Sequence, residues 1–191
     1  TNPEKRCNFT PCAECRCSLT VYCGNHSIKG AESFTAAFEY NEKISPAIIL
    51  LKRGIKGNAA YAFGKALVAV LNNRDISQKI DIIIPVPLYK SDKRERGFNQ
   101  AELIAKEIGR ILKIDVSTDI VEKIRKTNPQ KTLTKKERRV NLKDAFEAAM
   151  PDKIKGKRIL LIDDVCTTGS TLTEITEILR QNGAAEVHCA V

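Results

Sequence analysis

Apolar residues recur along this chain with two different periods, and the changes between them outline the elements. Phe34, Ala36 and Phe38 alternate with other residues, which predicts a strand over Ser33–Tyr40. Apolar residues at helical spacing predict helices over Lys43–Arg53 and Ala59–Leu71, parted by a break at Gly54–Gly57. Asp81–Val86 reads as a buried strand. Arg96-Gly97-Phe98-Asn99-Gln100 leads into a helix ending near Leu112, with Ala101, Ile104, Ala105, Ile108 and Ile111 on one face. Val116–Val121 predicts a further strand, and the polar, basic stretch Thr127–Arg139 a loop. Arg158–Asp163 is the most continuous strand pattern. Thr171–Gln181 is a helix with Leu172, Ile175 and Leu179 inward, stopped by Asn182-Gly183, and Glu186–Val191 is a closing strand. Strands alternating with helices predict an α/β fold over residues 34–191, with a mostly parallel, twisted sheet flanked by helices. Residues 1–30 are rich in Cys and poor in large apolar side chains, and form a separate small module in this reading.

Composition narrows the picture. The 191 residues carry 32 Lys and Arg against 23 Asp and Glu, a formal charge of +9. Nine of the basic residues and only two acids (Glu122 and Glu137) fall between Val121 and Lys143. A smaller basic cluster, Lys90, Lys93, Arg94 and Arg96, follows Pro85-Val86-Pro87. Such clusters attract phosphate, on a small molecule or on nucleic acid, although a solvated surface face has a similar composition. The Val121–Lys143 segment has no aromatic residue, so it offers no stacking platform for single-stranded nucleic acid. The longest apolar runs, Ile82–Ile84 and Ile159–Ile162, fall far short of the roughly 18–20 residues of a membrane span. The first 20 residues lack the apolar core of a secretion signal. The chain begins at Thr1 and stops at Val191 inside an apolar stretch, as a fragment would.

Five of the seven cysteines lie in the first 23 residues. Cys12-Ala13-Glu14-Cys15 has the spacing with which two thiolates turn onto one tetrahedral zinc ion, and Cys7 with Cys23 (or Cys17) completes four ligands. A second Cys-x2-Cys pair is missing, and plain reduced thiols fit the same pattern. Clustered thiols without a secretion signal point to the reducing cytoplasm.

The densest chemical signal is Asp163-Asp164-Val165-Cys166-Thr167-Thr168-Gly169-Ser170-Thr171, between the strongest strand and a helix. Ligands of open α/β sheets bind at the carboxyl ends of strands, and a helix start offers backbone N–H groups to an anion. Thr167, Thr168, Ser170 and Thr171 add hydroxyls, and Gly169 lets a phosphate approach closely. Asp163 and Asp164 suit the hydroxyls of a sugar or a bridging Mg2+. A ribose with a 5-phosphate satisfies both halves. Ordinary helix capping accounts for one or two of these residues, not for the whole run. Dinucleotide and P-loop glycine motifs are missing.

Residues 159–171, four apolar residues, two acids, an apolar residue, one variable residue and Thr-Thr-Gly, resemble the phosphoribosyl pyrophosphate (PRPP) signature of type I phosphoribosyltransferases. Ile-Pro-Val-Pro-Leu (84–88), Arg-Gly-Phe-Asn-Gln (96–100), Asn-Pro-Gln (128–130) and Arg-Arg-Val-Asn-Leu-Lys-Asp-Ala-Phe (138–146) together resemble the ComF family of competence-associated phosphoribosyltransferase-like proteins. The resemblance implies a type I phosphoribosyltransferase-like fold behind a Cys-rich zinc module. It implies that Asp163 and Asp164 bind the ribose hydroxyls near Mg2+ and that Thr167–Thr171 hold the 5-phosphate. It also implies that Val86, Tyr89 and Lys90 face the pyrophosphate, and that a basic loop carrying Lys131, Lys135 and Lys136 closes over PRPP. The implied activity is phosphoribosyl transfer with release of pyrophosphate, linked to DNA uptake. Single-stranded DNA or proteins of the competence machinery are the implied partners. The acceptor is left open, with residues 1–30 and 34–73 as candidate contributors. A non-catalytic PRPP sensor, or a module binding nucleic acid or protein on the same fold, is the alternative.

Overall fold

The run Ile159-Leu160-Leu161-Ile162 has no polar position, so a strand built from it needs cover on both faces. A computed structural model, which describes residues 28–38, 42, 44–52, 58–127 and 141–191, shows how that cover arises. Among these residues the strands are β1 (Ser33–Thr35), β2 (Ile82–Pro85), β3 (Val121–Lys123), β4 (Phe146–Ala148), β5 (Arg158–Ile162) and β6 (Glu186–Ala190). The helices are α1 (Ser45–Lys52), α2 (Asn58–Asn73), α3 (Lys90–Arg96), α4 (Gln100–Leu112) and α5 (Ser170–Gln181). Strands β1, β6, β5 and β2 form, in that order, a sheet with every pairing parallel. Leu161 stands opposite Ile84 on one side and Cys189 on the other. Alternate residues of β5 serve opposite layers. Ile159 and Leu161 pack with Leu172, Ile175 and Leu179 of α5. Leu160 and Ile162 pack with Leu67 and Leu71 of α2 and Ile104 and Ile108 of α4. Each such side chain stabilises the fold by about 2 kcal/mol relative to exposure.

The strand predicted over Val116–Val121 is divided in the structure. Val116 makes a single parallel bridge to Ile83 at the free edge of β2. The Ser117 hydroxyl then bonds the Asp119 carboxylate, a local contact that competes with strand pairing and turns the chain. Extended structure resumes as β3, which pairs antiparallel with β4 in a separate two-stranded sheet. The predicted Ser33–Tyr40 strand pairs in register over Ser33–Thr35, and two bonds of 2.9 Å extend it, Val191 N–H donating to Thr35 O and Ala37 N–H to Val191 O. Helix α3 has no apolar stripe and no buried residue, so hydrophobic periodicity gives no sign of it. It stops at Gly97 (φ 77°), whose N–H bonds Lys93 O. Ile28 is buried in the α5-side core, so the folded unit reaches back to that residue. No helix among the described residues is long and apolar enough to cross a membrane.

Helix α4 lies so close to the edge of the sheet that a Cβ on Gly109 would stand 2.5 Å from Val116 Cγ2 and 2.7 Å from the Ile114 carbonyl oxygen. Gly109→Ala is therefore expected to destabilise the protein, because overpacking of about 1–3 kcal/mol against backbone outweighs the roughly 1 kcal/mol gain in helix propensity. A urea midpoint equal to or above that of the wild type would refute this reading.

Candidate functional site

The carboxyl ends of β5 and β2 are level, and the residues that follow them build the site. Asp163 N–H donates to Ala190 O (3.1 Å) and Val86 N–H donates to Ile162 O (2.8 Å), so sheet pairing continues past the end of β5 on both sides. Asp163 and Asp164 emerge there half-buried. Asp164 N–H donates to Asp163 Oδ1 at 2.8 Å, which orients the first carboxylate. The chain then turns through Val165–Gly169 into α5. Thr168 Oγ1 and Ser170 Oγ are 2.9 Å apart, and Thr173 N–H donates to Gly169 O at 2.8 Å. Asp163 and residues 165–172 line one depression, which brings the first expected carboxylate together with the hydroxyls, whereas Asp164 lines a second hollow that shares Val165 and Cys166 with it.

Gly169 has two structural reasons. Its φ of 71° is left-handed, a conformation that favours glycine. A Cβ there would lie 2.7 Å from Ile28 Cδ1, so the missing side chain makes room for the segment before β1. Cys166 stands in the same loop. Burial, with the nearby Asp163 charge, pushes its thiol up to about 11.

A second cleft of about 130 Å3 opens beside the end of β2, lined by Pro87, Leu88, Lys90, Lys93, Asn99 and Lys123 among others. Asn99 ties its wall together. The buried side chain donates to Val86 O at 2.9 Å and accepts from Ala101 N–H at 3.1 Å, capping α4. Of the residues expected to face pyrophosphate, Lys90 lines this cleft and is paired with Glu122 at 3.4 Å. Val86 is buried in the sheet, and Tyr89 is the residue before α3. Lys123 was visible in the sequence only as one of nine basic residues. Its half-buried position on β3 depends on the pairing with β4. Lys131, Lys135 and Lys136, and the zinc candidates Cys7, Cys12, Cys15, Cys17 and Cys23, lie outside the described residues.

Residues 58–191 match the phosphoribosyl transferase domain family. The chain is 35% identical to competence protein F of Haemophilus influenzae, an alignment covering 94% of this chain and 82% of that protein. It is 36% identical to the DNA utilization protein YhgH of Escherichia coli K12 over 78% of this chain, which is 66% of that protein's length. Competence protein ComFC of Bacillus subtilis is 34% identical over 54% of this chain and 40% of its own length. Among solved structures, the glutamine PRPP amidotransferase of B. subtilis superposes with a TM-score of 0.46 at 22% identity, over 69% of this chain and 26% of that one.

Asn99→Ala removes a helix cap and leaves the buried Val86 carbonyl without this donor, which is expected to cost about 2 kcal/mol. Asn99→Asp keeps the cap acceptor but loses the donor, and is expected to fall between. Equal denaturation midpoints for all three proteins would show that Asn99 does not hold the cleft wall.

Proposed function

This chain belongs to the phosphoribosyl transferase domain family, within the group of competence protein F, and we propose that it binds PRPP and transfers its phosphoribosyl group with release of pyrophosphate. The observation that carries the reading is that Asp163 lines one depression with the hydroxyl-rich turn into α5 at the carboxyl end of β5, while a basic cleft opens at the end of the paired strand β2. In this reading Thr167, Thr168, Gly169, Ser170 and Thr171 hold the 5-phosphate, and Asp163 and Asp164 hold the ribose hydroxyls. Lys90 faces the diphosphate. The bond from ribose C1 to the diphosphate oxygen breaks, its electron pair leaves on pyrophosphate, and a lone pair of the acceptor forms the new bond to C1. Positive charge develops at the sugar carbon, as in glycoside hydrolysis, and fixed cations stabilise the departing anion. Lys131 and Lys135, with Lys136, supply further positive charge over the leaving group in this proposal.

The two carboxylates are hard oxygen donors of the kind Mg2+ takes in partnership with substrate phosphates. In this proposal Asp163 and Asp164 would share Mg2+ with PRPP oxygens. The ion would neutralise diphosphate charge. The names of the relatives link the proposal to competence and to DNA utilisation.

One observation bears on the second reading, a PRPP sensor or partner-binding module. The hollow beside Asp164, lined by Phe38, Ile44, Ile48 and Phe63, is small, about 40 Å3 among the described residues, and a protein that only senses PRPP needs no wider acceptor pocket there. Binding of single-stranded DNA with a steep salt dependence, without turnover, would favour that module.

Calorimetry with PRPP, with and without Mg2+, tests the main proposal. Mg2+-dependent binding is expected for the wild type and is expected to be lost in the Asp163→Ala, Asp164→Ala double variant, with its circular dichroism unchanged. Equal affinity in the folded double variant would remove these residues from the site. Zinc on Cys7, Cys12, Cys15 and Cys23 is a separate proposal resting on thiol spacing. One equivalent by metal analysis is expected, and less than about half an equivalent after loading would overturn it.

A further inference from the structure

Lys123 is unlike the other cations of the cleft. On the rim, Lys90 pairs with Glu122 (3.4 Å) and Lys93 with Glu102 (2.9 Å), while nearby Lys126 pairs with Asp92 (3.8 Å). Among the described residues no carboxylate forms an ion pair with the Lys123 ammonium. Its polar partner there is Thr127 Oγ1 at 2.8 Å. The opposite residue in the β3–β4 register is Phe146, and Nζ lies 5.6 Å from the centre of that ring. The small two-stranded sheet thus holds an ammonium group in a partly desolvated cleft without a carboxylate in direct ion-pair contact among the described residues, the Asp92 and Asp163 charges acting only from a distance. A charge removed from water in this way is costly unless something neutralises it.

We propose that Lys123 is a binding residue for the diphosphate end of the donor, and that Phe146 positions its ammonium. The inference rests on reading the neighbouring edge as a PRPP site, and adds a contact that neither the motifs nor the family membership assigns. Lys90 and Lys93 reach the cleft from the α3 side and Lys123 from β3. Cations on two sides suit an anion with charge on two phosphorus centres better than a single phosphate. Glu102 is tied to Lys93 and Lys106, and Glu122 to Lys90, so both cleft carboxylates are already neutralised.

The pH behaviour has a definite sign. Burial lowers the Lys123 pKa, while Asp92 on α3 and Asp163 after β5 raise it and Arg125 and Arg96 lower it. The ammonium is present below its folded pKa and is lost as the pH rises through it. Pyrophosphate binding should therefore weaken at high pH. Removing the ring should bring that upper limit to lower pH, since the ring favours the charged form.

The test is calorimetry on the full chain with two separate probes, inorganic pyrophosphate with Mg2+ and ribose 5-phosphate. Lys123→Gln is expected to weaken pyrophosphate binding about tenfold or more, with ribose 5-phosphate affinity kept within about twofold. Lys123→Arg is expected to retain most of the affinity. Phe146→Leu is expected to move the upper pH limit downward. Pyrophosphate binding by Lys123→Gln equal to that of the wild type would overturn the inference, as would parallel loss of both probes. An unmoved pH limit in Phe146→Leu would remove the positioning role of the ring. Wild type that binds ribose 5-phosphate but not pyrophosphate would sink this inference alone. Binding of neither probe would sink the PRPP reading with it.

Discussion

Strand β5 is hydrogen-bonded along both edges and covered on both faces, so its carboxyl end has no freedom to shift. The position of Asp163 follows from that constraint. The bonds Asp163 N–H to Ala190 O and Val86 N–H to Ile162 O carry sheet geometry past the last apolar residue on both sides. Two loops from distant parts of the chain are brought level as a result. Helix α5 then returns along one face through Leu172, Ile175 and Leu179, and α2 and α4 close the other. A parallel sheet collects polar chemistry at its carboxyl edge because its interior has no place for it.

The β5–turn–α5 unit was readable from the sequence because it is contiguous. One apolar run, two carboxylates, a hydroxyl turn and an amphipathic helix each carry a local signal, and no register between distant strands is needed to connect them. The cleft beside β2 has no such continuity. Its walls come from residues 85–102 and 118–123, and Lys123 reaches its place only through pairing with Phe146. A three-residue strand, two of whose residues are charged, carries almost no period. Helix α3 was hidden for a related reason, since it buries no side chain and leaves no stripe. Gly169 was legible as a special position, but its packing against Ile28 depends on a residue more than a hundred positions away.

The excess of positive charge says little about the site by itself. Several described cations of this region are already paired with neighbouring carboxylates, and exposed pairs of that kind contribute little to stability and are screened by salt. They do determine which charges remain available at the sheet edge. An ammonium against an aromatic ring interacts more strongly with a visiting anion than a solvated lysine does, because less water stands between the charges. The composition of the chain records the number of charges, whereas the small β3–β4 sheet determines where one of them is desolvated.

Strand β1 pairs with β6 and with no other described strand, and β6 is made from residues 186–190. During synthesis, then, Phe34 and Ala36 leave the ribosome about 150 residues before the strand that covers their edge. The β2–β5 pair can assemble earlier, but the sheet stays open at its β1 side until residues 186–190 arrive. Contacts of such long sequence separation slow folding and prolong the exposure of unpaired backbone. The edge of β5 that β6 will cover is thus unpaired in the interval between completing the turn into α5 and releasing β6.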